Sequence, residues 1–197
     1  MNSTSFIRLL DELDCEAAAQ HSVLNHHVDG MDYLCLHRSP KLTMKLYFID
    51  TARMFRQVPN TYLVTPHTHR YAFKSTVLAG RLIHARFCEA SGAGYDRFQY
   101  SPEDRSLIDI GAVGLGVPAL ELHEAGSSYW CSTTDIHTLV VPAGPVLLGL
   151  VQFSDTTERS TVYLRKGSRM DYPESRKPTV DEALSLRNHA LEMMGAA

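Results

Sequence analysis

No stretch of this 197-residue chain has the makings of a membrane span. The longest apolar run, Leu139 to Val151, is broken by Pro142 and Pro145 and falls short of the ~20 residues a span needs. A basic excess is also missing. Lys and Arg number 19 against 22 Asp and Glu, for a net charge of −3, and no basic run offers a grip on a phosphate backbone, so nucleic acid is not an expected partner. The first residues, MNSTSFIRLLDELD, carry three acids and lack the basic-then-apolar order of an export signal. Cys15, Cys35, Cys88 and Cys131 form neither a CxxC pair nor a small disulfide framework, which reads as reduced thiols in the cytoplasm. GAVGLG at Gly111 to Gly116 lacks both GxGxxG order and a Walker lysine, and is read as turn glycine. Repeats, low-complexity tracts and linker-like shifts are absent too. With 44% hydrophobic residues the chain can bury a core without staples, and residues 1–197 are expected to form one domain.

What is present is mostly strand. Phe6, Leu9, Leu10, Leu13 and Ala17 recur at helical spacing and predict an opening helix over about residues 5–20. Short runs rich in β-branched and aromatic residues follow: Tyr33 to Leu36, Leu42 to Ile49, Thr61 to Thr65, Phe73 to Leu78, Leu82 to Phe87, Ala119 to His123, Ser128 to Cys131, Ile136 to Val141, Val146 to Phe153 and Ser160 to Leu164. About ten short strands favour a sandwich or barrel, here over about residues 33–165. Thr179 with Glu182 makes a capping-box pattern, and a closing helix over about 180–194 places Val180, Leu184, Leu191 and Met194 on one face. Residues 89–109 read as an irregular rim loop and a candidate lid.

Ten histidines are the unusual component. In TPHTHRYAF an extended backbone puts His67, His69, Tyr71 and Phe73 on one face, because strand side chains alternate. Two neutral imidazoles from one strand supply two adjacent corners of a transition-metal coordination sphere. A third ligand must come from elsewhere. Gly80 lies eleven residues after His69, and His137 lies eleven after Gly126. His21, His26, His27 and His37 precede these motifs in helix-end or loop context and are read as solvated. His189 sits in the last helix, where a partly positive ring suits the helix dipole.

HxH with those two glycine spacings resembles the cupin superfamily, whose motifs have the forms G-x5-H-x-H-x3,4-E-x6-G and G-x5-P-x-G-x2-H-x3-N. The resemblance covers about residues 61–141. His67, His69 and Gly80 fall on the first motif, and Gly126 and His137 on the second. Thr61 replaces the leading glycine and Phe73 the glutamate. Ser132, Thr134 and Val141 replace the Pro, Gly and Asn of the second motif. The resemblance implies a mainly β fold, a cupin-like double-stranded β-helix (jelly-roll barrel) with a helix at each end. It also implies a metal held by His67, His69 and His137 without the usual carboxylate. Three-histidine cupins include thiol dioxygenases, but Lys74 stands where many of those carry a crosslinking cysteine.

In the cupin register Leu82, His84, Glu121 and His123 point inward. Three ionisable groups thus stand where a plain barrel places Leu or Val, and a buried carboxylate needs a partner. Arg86, of the same parity as His84, would make a polar network that orients a substrate carboxylate. Alternatively, His84, Glu121 and His123 hold a second metal ion. The resulting expectation is a non-haem iron oxygenase or hydroxylase using Fe(II), one or two ions, with O2 as co-substrate on a small organic molecule. Tyr71 and Glu121 are the catalytic candidates, and Arg86, Phe73, Tyr129 and Trp130 the substrate-binding ones. A redox-silent metal-dependent isomerase or lyase, and a ligand-binding cupin without turnover, are the alternatives, and pairing of edge strands into a homodimer is compatible with each.

Overall fold

The structure is a computed structural model that describes residues 2–54, 63–101, 103, 106–142, 144–168 and 174–196. The chain opens with α1 (Ser3–Asp11) and α2 (Cys15–His21). The single expected helix is thus two. Asp14 accepts hydrogen bonds from the backbone N–H groups of Glu16 and Ala17, so a second N-terminus starts where periodicity alone continues the first helix. Strands β1 (Met31–Arg38) and β2 (Leu42–Ile49), a short α3 (Thr51–Met54), and β3 (Tyr71–Ala79) and β4 (Arg81–Phe87) follow. Then come β5 (Glu89–Tyr100), β6 (Leu107–Leu115), β7 (Ala119–Glu124), β8 (Ser128–Cys131), β9 (Ile136–Val140), β10 (Val146–Asp155), β11 (Ser160–Arg165) and α4 (Val180–Met193).

All strand pairings are antiparallel. One sheet has the order β1-β2-β10-β3-β8, and two three-stranded sheets have the orders β7-β4-β9 and β11-β5-β6. Residues 66–68 join the latter two. His67 exchanges backbone hydrogen bonds with His137 of β9 at 3.0 Å each way, while Tyr163 and Thr68 tie the same segment to β11 through Pro66 and Thr161. The second wall of the double-stranded barrel is therefore continuous through an irregular segment.

The apolar pattern shows why the walls close. β2 is buried on both faces: Tyr47 and Ile49 belong to the barrel interior, with Phe73, Val77, Leu82, Leu139 and Leu148, while Leu46 and Phe48 meet Phe6, Leu10, Ala183 and Ala190 of the helices outside. Gly80 turns β3 into β4 at φ +77, and a Cβ there would lie 2.4 Å from the Pro145 carbonyl oxygen. Gly126 turns β7 into β8 at φ +90. Both motif glycines therefore stand where the backbone is left-handed and side chains are disfavoured.

Three expectations are corrected. Residues 89–100 and 107–109 are not irregular: β5 pairs with β6 in an antiparallel ladder that includes Gly114, while Gly111 falls at a register shift. Residues 89–94 are small or polar and exposed, and no residue of β5 is fully buried, so no apolar alternation announces the pairing. Val180 and Leu184 are exposed, and α4 buries Leu191 as expected together with Ala183 and Ala190; the Thr179–Glu182 capping box is present. Residues 61–62 of the run Thr61 to Thr65 lie outside the described residues, and the rest is not a strand, although Leu63 donates its N–H to Leu139. Among the described residues no helix is long and apolar enough to cross a membrane.

Candidate metal centre

His67, His69 and His137 converge. Their ligand atoms lie within 4.8 Å of one another, and their ring centroids are 4.7 to 5.0 Å apart. His67 reaches the site from the bridging segment. A neutral ring with its proton on Nδ1 donates to the Thr65 carbonyl at 2.8 Å, leaving the Nε2 lone pair free. His137 arrives on β9, and its Nε2 lies 2.8 Å from Nε2 of His69. Burial lowers the pKa of all three; the neighbouring imidazoles lower those of His69 and His137 further, and the Thr65 hydrogen bond partly opposes the shift at His67. The three rings are therefore neutral at physiological pH. Closely grouped neutral imidazole nitrogens fit a divalent first-row transition metal better than Mg2+ or Ca2+, which prefer oxygen.

Phe73, in the place of the motif's glutamate, packs its ring on His69 at 4.9 Å and on His137 at 5.7 Å. The carboxylate's position is thus apolar. Tyr71 lies against His69 at 5.2 Å, and burial raises its phenol pKa, so the hydroxyl keeps its proton. Tyr129 faces inward and stacks on His84 at 4.3 Å. Cys131 shares that face, and burial pushes its thiol up to about 12. Trp130 does not line the interior. It is 48% exposed and packs against Phe153 on the other face of β8, because residues 129 and 130 of one strand cannot share a side.

Beyond His137 lies the second polar set. Nδ1 of His137 is 3.0 Å from Nε2 of His84, which is fully buried. Burial, followed by the charge of Arg86, brings the His84 pKa down to about 4. On its other side His84 faces Glu121 and His123, the three ligand atoms again within 4.8 Å. Glu121 accepts from Arg86 Nη2 at 2.8 Å on Oε1 and 3.1 Å on Oε2. Arg86 is thus paired with Glu121 rather than left free for a substrate carboxylate. Glu121 groups with His84 and His123 and not with His67 and His69, so it does not bridge the two clusters.

Sequence reasoning missed two features. His26 is not solvated: it is half-buried, its ring meets that of Tyr33 edge-on at 4.9 Å, and burial lowers its pKa, whereas His27, whose ring lies 3.9 Å from that of His26 and 6.4 Å from that of His67, is exposed as expected. The backbone of His27 has φ 70 and that of Asn25 φ 55, a conformation non-glycine residues seldom adopt and one found preferentially at functional sites. No periodicity in VLNHHVDG signals this. The second is Lys45, which shares the inward parity of Tyr47 on β2 and places Nζ 4.8 Å over the Tyr33 ring. Burial lowers its pKa to about 8. Strand parity in LTMKLYFI would have found it.

Fold and site together describe an antiparallel, double-walled β-barrel that groups three histidines. No protein-family model matches the sequence, and no curated protein matches it. Among solved structures the chain is similar to hydroxypropylphosphonic acid epoxidase from S. wedmorenis, with 19% identity, 68% of this chain and 56% of that chain covered, and a TM-score of 0.38. It is similar to the iron(II) form of that enzyme at 18% identity, with coverages of 64% and 51% and a TM-score of 0.38. The cupin domain of Schizosaccharomyces pombe Cnp3 matches at 7% identity, with coverages of 64% and 62% and a TM-score of 0.36. The matched region spans just over half the length of the epoxidase.

Proposed function

We propose that the protein is a non-haem iron(II) oxygenase that oxidises a small organic molecule with O2 as co-substrate. The observation that carries this reading is the convergence of three neutral imidazoles, His67, His69 and His137, beside an interior that places Phe73 where the motif has a carboxylate. Iron bound there would supply the one-electron chemistry that activates O2. His67, His69 and His137 would hold the ion as three neutral ligands that cancel none of its charge, and O2 and substrate would meet it from the open side.

The remaining roles belong to the chain. Phe73, Leu82 and Tyr129 form a dry wall that excludes water from the reacting groups. Tyr71, held protonated by burial, has a hydroxyl proton to give beside His69. Lys45 makes no ion pair among the described residues, whereas Arg86 is paired to Glu121 and Arg53 to Asp32. An interior ammonium beside a divalent ion with no anionic ligand favours a substrate bearing a carboxylate or another anionic head. The four cysteines are unpaired, which supports a cytoplasmic setting.

The test is anaerobic reconstitution with Fe(II), followed by admission of O2 in the presence of a panel of small carboxylic acids. Uptake of O2 that requires iron and one class of acid is expected. Turnover that proceeds equally with Zn(II) and without O2 would overturn the oxygenase in favour of Lewis-acid chemistry.

A further inference from the structure

We propose that His84, Glu121 and His123 form a second divalent-cation site, separate from the triad. The proposal goes beyond the iron reading and shares with it only the His84–His137 contact. Strand register builds the group: His84 of β4 pairs directly with Glu121 of β7, and His123 stands two residues along on the same inner face, opposite Leu82. The ligand atoms lie within 4.8 Å of one another.

Two of those atoms ask for an occupant. His84 is fully buried, and its Nδ1 has no hydrogen-bond partner among the described residues; the buried Nε2 of His123 has none either and lies 3.6 Å from Glu121 Oε2. Buried polar atoms are rarely left unpartnered, because each orphan costs about 1–3 kcal/mol. Two imidazole nitrogens and one carboxylate oxygen facing one point are a donor set for Fe(II), Co(II), Mn(II) or Zn(II). Arg86 donates its shorter hydrogen bond to Oε1, at 2.8 Å, and a longer one to Oε2, at 3.1 Å, so Glu121 is held with Oε2 on the His123 side, as an outer-shell partner holds a ligating carboxylate.

The His84–His137 contact sets the order of filling. A cation on His137 Nε2 leaves the ring proton on Nδ1, which then donates to His84 Nε2 across 3.0 Å. Neutral His84 must in that case carry its own proton on Nδ1, the atom the second cation needs. Binding there displaces that proton or opens the contact, and the guanidinium of Arg86 adds a repulsive charge. The triad therefore fills first and the second site more weakly, as metal binding in competition with protons requires.

Equilibrium dialysis of the metal-free protein against Co(II), with metal counted per chain, tests this. Wild type should take up two equivalents in resolved steps, the second at least about tenfold weaker. Glu121→Gln and His123→Gln should each lose the second step and keep the first. His67→Ala should lose the tight step, and if it does not, the triad reading fails while the second site stands. Uptake of one equivalent by wild type, or a second equivalent that survives in both Glu121→Gln and His123→Gln, would overturn the proposal. Should a variant fail to fold by circular dichroism, absorption of the Co(II) wild type decides alone: a break at two equivalents supports the site and a single break at one refutes it.

Discussion

His67, His69 and His137 meet because an irregular segment crosses between two sheets, whereas His84, Glu121 and His123 meet because two strands pair in register. The first cluster has no anion of its own; the second has a carboxylate already balanced by arginine. The contrast separates two ways of building a site. In the first, backbone hydrogen bonds of Pro66, His67 and Thr68 to β9 and β11 fix the segment that carries His67, and a 2.8 Å ring contact joins His69 to His137. In the second, the side chains depend on one another, and removing one leaves its neighbours unsatisfied.

The largest effect that tests the contrast is at the triad. His69→Ala or His137→Ala should lose bound iron and bring O2-dependent turnover to background, while circular dichroism still reports the β-barrel. If either variant keeps one iron per chain and full turnover, the contrast between the clusters collapses.

A smaller effect is expected where the clusters touch. His84→Ala removes the group that faces His137 Nδ1, and loss of such an outer-shell partner costs roughly 10–100-fold in metal affinity. It also empties a fully buried volume, so a stability loss on the order of 2 kcal/mol should accompany it in chemical denaturation. His84→Gln, which keeps a hydrogen-bonding group, should recover part of the affinity. Unchanged affinity in His84→Ala would show that the two clusters are energetically independent.

Much of this was legible in the sequence, for physical reasons that differ by residue. The HxH pair and the two eleven-residue spacings locate the triad, because a turn glycine at fixed distance sets the register of the strand beside it. The inward facing of His84, Glu121 and His123 follows from period-two alternation. Trp130 fails the same rule that places Tyr129, and applying parity strictly would have excluded it. The β5–β6 pairing was illegible: β5 has no fully buried residue, and its exposed first half pairs through backbone groups that all residues share. The half-buried place of His26 was illegible because the loop around it, with positive φ at Asn25 and His27, has no periodic signature.

A still smaller effect concerns cofactor choice. An oxygenase that uses 2-oxoglutarate ordinarily binds iron through two histidines and a carboxylate, and here Phe73 occupies the carboxylate's place beside His69. Turnover should be independent of 2-oxoglutarate within about twofold. Stoichiometric formation of succinate would break this expectation and would point to a carboxylate ligand that the triad does not contain.

The smallest effect isolates charge at the edge of the first cluster. Lys45 is surrounded by Cys35 and Arg38 of β1, the Tyr33 ring, His26 in the loop before it and Asp155 of β10, and none of these gives its ammonium an ion pair among the described residues. Burial, the first of the causes, lowers the pKa from 10.5 to about 8. The unfolded chain therefore binds the Lys45 proton more tightly than the folded chain does. Between pH 8 and 10.5 unfolding takes up that proton, so Lys45 makes stability rise with pH across the window, and below pH 8 its charge is a standing cost. Lys45→Met should then be more stable than wild type at pH 7, on the order of 1–2 kcal/mol in urea, and the advantage should shrink toward pH 10 as the wild-type amine loses its proton. Measuring the difference between the two proteins cancels the cysteines and tyrosines that titrate in the same range. A difference that is flat across pH 7–10 would mean that Lys45 carries its charge in a solvated place, and the argument for an anionic substrate would lose its cation.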